Sequence, residues 1–326
     1  MLSEDLKNCG ISISFKGIDI AVNALPNPCF SAFEVIKRPE GYGIPGFISG
    51  SVRVSMSDIQ AQGFSDSSSD LCEVKSISEA LERLVLNYFT RENKITETSN
   101  GWASHTDPSS AIDNSIFELI ERDVVLTNWH NGGVFYEIPE TLWPEELINW
   151  KKSRPVELEF SDLKLFLTKN ENGCAVSALL FNDNKNFIAA HSSRSELKQA
   201  MLSATSECMR AAHSALRFEY FADVLALHNK NCKSRTIDPG AHSLAYAYSV
   251  SLPNSIQFKS ASDFEILKSW KWHQDNFKKL EINRFKIKLF KISDRYVARA
   301  KADFMQDIYW GQSPFEFKNN YPHFVG

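Results

Sequence analysis

Nowhere in the chain do the roughly 20 consecutive apolar residues that cross a bilayer as a helix occur, so no membrane span is expected. Met1–Lys7 carries Glu4 and Asp5 where a secretory signal needs basic residues followed by an apolar run. A basic excess is missing as well. Lys and Arg number 36 against 40 Asp and Glu, a net charge of −4, which leaves no electrostatic footprint for nucleic acid. The six cysteines (Cys9, Cys29, Cys72, Cys174, Cys208 and Cys232) are scattered without a CxxC pair. That excludes a disulfide frame or a zinc knuckle, and points to reduced thiols in the cytoplasm. There is no low-complexity linker, and His105, His130 and His213 stand isolated, so no residue declares itself as a general base. What the chain does have is 43% hydrophobic and 12% aromatic residues over 326 positions, enough for a substantial core. Disorder as the global state is excluded.

Residues 1–60 read as loop-rich, with Pro26, Pro28, Pro39 and Pro45 among short apolar runs. Gly41-Tyr-Gly43-Ile-Pro-Gly46 spells GxGxxG. Pro45 inside it and the lack of a periodic helix after it exclude a dinucleotide fingerprint, and a surface turn is expected. The stretch 65–71 is rich in Ser and Asp and suits a helix start. Beyond it Ile77, Ala80, Leu81, Leu84, Val85 and Tyr88 recur at helical spacing. After a turn at 98–103, Asp107-Pro108 reads as an N-cap with proline in the first helical position. Ile112, Ile116, Leu119 and Ile120 carry that second helix to about Trp129.

From 155 to 190 the period changes to two. Leu163, Leu165 and Leu167 alternate, and Asn182-Asp-Asn-Lys reads as a hairpin turn between Cys174–Phe181 and Asn186–Ala190. A third long helix is expected from about Ser195 to Leu227, and a last strand pair near 285–292 and 296–302. Helices and strands mix without βαβ alternation, so the class is α+β, mixed sheets packed with long helices.

One phrase occurs twice. Glu79-Ala-Leu-Glu82-Arg83 lies on the first helix and Glu118-Leu-Ile-Glu121-Arg122 on the second. At about 100° per residue, the two glutamates of each pair project about 60° apart, opposite the apolar stripe. Like charges at that spacing repel, which a solvated face has no need of and a hard cation has. Magnesium takes oxygen ligands and is commonly shared between carboxylates and phosphates; an acidic surface binds phosphate only through such a metal. The bland alternative is that ExxE pairs arise often on solvated helix faces. On the third helix, Glu196, Gln199, Ser203, Glu207, Arg210 and Ser214 form a polar strip opposite an alanine-rich side. Glu207 and Arg210 read from spacing alone as an i,i+3 ion pair.

These residues resemble the YcaO family, ATP-dependent enzymes that activate peptide backbone amides. The resemblance is carried by Gly63-Phe-Ser-Asp with Ser76-Ile-Ser-Glu79-Ala-Leu-Glu82-Arg83, by Ser99-Asn-Gly101-Trp-Ala103, and by Ala111-Ile112 with Phe117-Glu118-Leu-Ile-Glu121-Arg122-Asp123. A weaker match runs from His191 to Ala211. The resemblance implies one YcaO-like domain over 1–326, with an ATP- and magnesium-binding core at 60–230 and a C-terminal part at 231–326. It implies ATP and Mg2+ as cofactors, with Glu79, Glu82, Glu118 and Glu121 as magnesium ligands. Ser76, Ser99, Asn100, Arg122 and Glu207 would contact the nucleotide. Arg210 stands where the family has glutamine, and the tail ending Pro322-His323-Phe324-Val325-Gly326 lacks the alternating prolines of many azoline-forming members.

The implied reaction is phosphorylation of an amide oxygen in a ribosomally made precursor peptide, closing azolines from Cys, Ser or Thr. Alternatives are thioamide formation with an external sulfur donor, or a non-catalytic scaffold subunit. A glycosidase-type carboxylate pair fits less well, since adjacent glutamates with arginine suit metal and phosphate. A separate leader-binding partner protein and a homodimer are the expected partners, without nucleic acid or membrane.

Overall fold

The computed structural model describes residues 7–38, 40–94, 98–155, 160–182, 187–216 and 256–306. The chain folds as two compact units, each assembled from separated segments. Met1–Lys37, Gly46–Leu119 and Leu280–Met305 form the first; Arg38–Pro45, Ile120–Lys279 and Gln306–Gly326 form the second.

The first unit opens with strands where loops were expected. β1 (Lys7–Phe15) and β2 (Ile18–Ala24) are an antiparallel pair joined at Lys16 and Gly17, both at positive φ. The short strands β3 (Cys29–Phe30) and β4 (Glu34–Ile36) flank β5 (Phe47–Met56), which pairs antiparallel with β6 (Ile59–Ser68). The prolines that suggested loops fall between these strands or lie outside the described residues, as Pro39 does. The stretch 65–68, expected as a helix start, is the end of β6. Its small Ser65 and Ser67 are buried, and the helix begins only at Ser69.

That helix, α1 (Ser69–Asn93), buries Ala80, Leu81, Leu84, Val85, Tyr88 and Phe89 at the expected spacing. They pack with Val52, Val54 and Met56 of β5 and with Trp102, Phe290, Ile292 and Val297. Trp102 begins β7 (Trp102–His105) and stacks on Phe290 at 6.0 Å between ring centroids. β7 is the edge of the five-stranded sheet β1-β2-β13-β14-β7, completed by the expected last pair, β13 (Lys286–Ile292) and β14 (Arg295–Lys301). The β5–β6 pair lies against α1 so closely that Gly63 has no room for a side chain. A Cβ there would sit 2.1 Å from the carbonyl oxygen of Ser76 and 2.3 Å from the nitrogen of Ala80.

Helix α2 (Pro108–Asn131) begins as the sequence predicts, the Asp107 carboxylate accepting the N–H of Ser110 at 2.7 Å. Its residues up to Leu119 belong to the first unit and those from Ile120 to the second. In the second unit β8 (Val134–Glu137) leads to α3 (Glu145–Ser153), and β9 (Phe160–Asn170), β10 (Gly173–Asn182) and β11 (Phe187–Ser192) form a meander. Of the turn expected at Asn182-Asp-Asn-Lys, Asn182 ends β10 and the rest lies outside the described residues, as do residues 156–159.

Helix α4 (Leu197–Leu216) packs Ala200, Ala204 and Ala212, all fully buried, toward that sheet; its expected continuation to 227 also lies outside the described residues. β12 (Gln257–Ser260) adds to β8 in parallel, and α5 (Asp263–Lys278) follows, opened by a Ser262–Glu265 capping box. Mixed sheets with five helices among the described residues bear out the α+β class.

The GxGxxG-like segment is a turn that a strand follows, as the exclusion of a dinucleotide site required. It is less superficial than expected, because Tyr42 and Ile44 are buried and the carbonyl of Gly41 accepts the Trp150 indole N–H at 2.8 Å.

Candidate active site

In the first unit α1 carries Ser76, Glu79 and Glu82, and α2 carries Glu118. None of the three glutamates has the exposure of an ordinary surface carboxylate; all are half-buried. Glu79 is held from two sides. Its Oε2 accepts the backbone N–H of Phe64 on β6 at 2.7 Å, and its Oε1 pairs with Arg83 at 2.6 Å. Arg83 in turn donates to the carbonyl of Gln62 at 2.8 Å, so β6 and α1 together fix the carboxylate.

Ser76 lies within α1 and is fully buried. Its hydroxyl donates to the carbonyl of Gly50 at 3.1 Å and ties α1 to β5. A direct nucleotide contact by Ser76 requires that bond to be exchanged.

Ser99 and Asn100 sit in the turn before β7. Asn100 is 4% exposed and its N–H reaches Thr98 Oγ1 at 3.4 Å. The next residue, Gly101, has φ +72°, and a Cβ there would fall 2.3 Å from the carbonyl oxygen of Ala300. Both the dihedral and the close approach demand glycine. In Ser-Asn-Gly-Trp-Ala, then, glycine and tryptophan build the turn that presents the serine and asparagine.

In the second unit the other half of the repeated phrase behaves differently. Glu121 and Arg122 are buried, at 8% and 9% exposure, where Arg83 of the first phrase is exposed. Arg122 Nε stands 3.8 Å from Glu121 Oε1, a buried pair. Glu121 Oε2 accepts the backbone N–H of Ser193, just past β11, at 3.1 Å. Burial pushes the Glu121 carboxyl up to about 7. Arg122 and Arg194 oppose that rise with positive charge, and the half-buried Glu207 of α4 adds to it with negative charge. Two carboxylates share this neighbourhood with two guanidinium groups. That donor set suits a divalent cation and the phosphates it carries.

Among the described residues, no three His, Cys, Asp or Glu side chains converge as a metal cluster.

Sequence reasoning missed the supports of this region. Asp123 is buried and accepts from Asn170 Nδ2 at 2.7 Å, Asn172 Nδ2 at 2.8 Å and the N–H of Gln306 at 2.7 Å. The polar Asn170-Glu-Asn172 turn was a visible signal of such a partner. Ser193 and Arg194 were visible only as a polar break between strand and helix, and His273 gave no signal at all.

A family model described as YcaO cyclodehydratase, ATP- and Mg2+-binding, matches residues 82–286. The chain belongs to the YcaO family. The likeness extends to solved structures at the level of fold. The Escherichia coli microcin synthetase McbBCD complex with pro-MccB17 bound contains a chain with TM-score 0.51 and 12% identity, over 83% of this chain and 87% of that one. A heterocyclase in complex with substrate and cofactor gives TM-score 0.53 and 11% identity, over 85% of this chain and 50% of that one. No curated protein matches. As a YcaO protein the chain is an enzyme of an ATP- and Mg2+-binding class. Among the described residues no helix is long and apolar enough to cross a membrane.

Proposed function

We propose that this YcaO protein closes azoline rings in a ribosomally synthesised precursor peptide, using ATP to remove an amide oxygen. An amide oxygen is a poor leaving group. A Cys, Ser or Thr side chain of the peptide adds to the preceding carbonyl carbon, and the oxygen of that adduct takes the γ-phosphoryl group of ATP, releasing ADP. Loss of phosphate and a proton then leaves the carbon–nitrogen double bond of the azoline. Catalysis of such a transfer is chiefly positioning and neutralisation of phosphoryl charge.

The observation that carries this reading beyond family membership is the Glu121 region. A buried carboxylate under added negative charge is costly unless a cation offsets it, and Arg122 and Arg194 are the side chains suited to phosphate. In this reading Glu79, Glu82, Glu118 and Glu121 ligate magnesium, while Ser99, Asn100, Arg122 and Glu207 contact the nucleotide. Ser76 contributes by anchoring α1. Magnesium supplies charge neutralisation at the phosphates. The chain's own residues hold the carboxylates at fixed positions, through the N–H of Phe64 for Glu79 and of Ser193 for Glu121.

A separate protein that binds the peptide leader, a homodimeric state, a cytoplasmic location and the action of residues 1–326 as one catalytic domain complete the proposal. The described cysteine side chains, Cys29, Cys72, Cys174 and Cys208, are all free thiols, in keeping with a reducing compartment.

The test is to incubate the protein with magnesium, ATP, precursor peptide and partner protein, and to weigh the peptide. Loss of about 18 Da per site, the mass of the water removed by the phosphoryl route, supports ring closure. A gain of about 16 Da at the same activated oxygen replaces it with thioamide formation. An unchanged peptide with no ADP released leaves the scaffold alternative.

A further inference from the structure

Helix α5 contributes nothing to the repeated glutamate phrase, yet three of its side chains grip the segment that holds Glu121. Trp270 Nε1 donates to the carbonyl of Ser195 at 3.2 Å, and Gln274 Nε2 donates to the same carbonyl at 2.8 Å. Gln274 also reaches Glu196 Oε1 at 3.3 Å. His273, 1% exposed, completes the set between them. Its Nδ1 accepts the backbone N–H of Cys174 at 3.2 Å, which places the ring proton on Nε2. From there it meets the carbonyl of Arg194 at 3.3 Å and the hydroxyl of Ser193 at 3.4 Å. The Ser193 hydroxyl in turn donates a hydrogen bond to the carbonyl of Cys174 at 2.9 Å.

The turn between β11 and α4 therefore has its carbonyls at 194 and 195 and its side chain at 193 all fixed, chiefly by α5. The N–H of Ser193 in the same turn is the one that Glu121 accepts, at 3.1 Å. We propose that Trp270, His273 and Gln274 are positioning residues, which aim the Ser193 N–H at Glu121 and so set how tightly that carboxylate holds a magnesium-bound nucleotide. The proposal rests on the reading of Glu121 as a magnesium ligand. Partners one step removed from a metal ligand commonly alter metal affinity by about 10- to 100-fold.

The experiment is calorimetric titration of the whole protein with magnesium and a non-hydrolysable ATP analogue, alongside thermal melts. The variants are Gln274→Ala, Trp270→Phe, His273→Phe and His273→Gln. Gln274 is half-buried and is not among the buried residues of α5, so this variant is expected to fold even where a change at His273 does not. The expected result is a dissociation constant raised about tenfold in Gln274→Ala and Trp270→Phe, with full binding stoichiometry. His273→Gln, which keeps a donor for the Arg194 carbonyl, should recover part of what His273→Phe loses. A merely structural role gives lower melting temperatures or stoichiometry with an unchanged dissociation constant, and overturns the proposal. Absence of magnesium-dependent binding in the wild type overturns the reading of Glu121, and the positioning role with it.

Discussion

Glu79 Oε2 accepts the backbone N–H of Phe64 at 2.7 Å. A hydrogen bond from the main chain of a neighbouring strand fixes a carboxylate more firmly than a side chain could, because the strand cannot rotate away. Glu79→Gln retains an oxygen that accepts this N–H, so the fold is expected to survive while the charge is lost. ATP turnover should fall by about 100-fold or more if one magnesium ligand is removed, with the melting temperature changed little. Steady-state ADP release across a magnesium series checks it.

The approach of β6 to α1 depends on Gly63. Gly63→Ala puts a methyl group against the backbone of Ser76 and Ala80, neither of which can turn aside. We expect a loss of about 3 kcal/mol in stability, at the upper end for an overpacked site, read from the denaturant midpoint at constant m-value. Gly101→Ala should cost a similar amount, since it adds backbone strain at φ +72° to a clash with Ala300.

Asp123 ends the Glu-Arg-Asp run and accepts from Asn170, Asn172 and the N–H of Gln306, all within 2.8 Å, and more distantly from Thr127 at 3.5 Å. Asp123→Ala leaves those donors without their acceptor. A loss of about 2–3 kcal/mol is expected from hydrogen bonds to a charged group, larger than for an exposed aspartate such as Asp58, whose partner Arg91 is also exposed.

His273 gives the fold an acid-sensitive limb. Burial lowers its pKa from 6.5 to about 4. The folded chain therefore holds the ring neutral where the unfolded chain protonates it. Stability from this group is fully present above pH 6.5 and is lost as the pH falls toward 4, by about 3 kcal/mol in total. Unfolding by denaturant at pH 7 and pH 5 should show that decline in the wild type and a flatter response in His273→Gln. Equal declines in both would mean that other groups dominate the acid limb.

The elements that could be read from the sequence are those whose signals are local. α1 and α2 announce themselves by apolar spacing, Asp107-Pro108 by its capping chemistry, and the β13–β14 pair by alternation. β1 and β2 also alternate, through Ile11, Ile13 and Phe15 and then Ile18, Ile20 and Val22, but the prolines that follow them mask this signal. Their hairpin turns through Lys16-Gly17, and that of β5–β6 through Ser57, which carries positive φ without the usual asparagine or glycine. The serine-rich β6 looked like a cap because its buried face is made small to admit α1, not large to fill a core.

The same division holds at the site. Repetition of Glu-x-x-Glu-Arg was visible in the sequence. That Arg83 stays exposed and Arg122 is buried was not, since it depends on what each helix packs against. Still less could the sequence show that Glu121 takes a hydrogen bond from Ser193, 72 residues away.

The most direct measurement is magnesium-dependent binding of a non-hydrolysable ATP analogue to the wild type, Glu118→Gln and Glu121→Gln, with folding confirmed for each. Saturable binding by the wild type is expected only when magnesium is present, with a loss of at least about tenfold in affinity in either variant. Nucleotide affinity that is independent of magnesium, or unaltered in both variants, would contradict magnesium ligation by these glutamates.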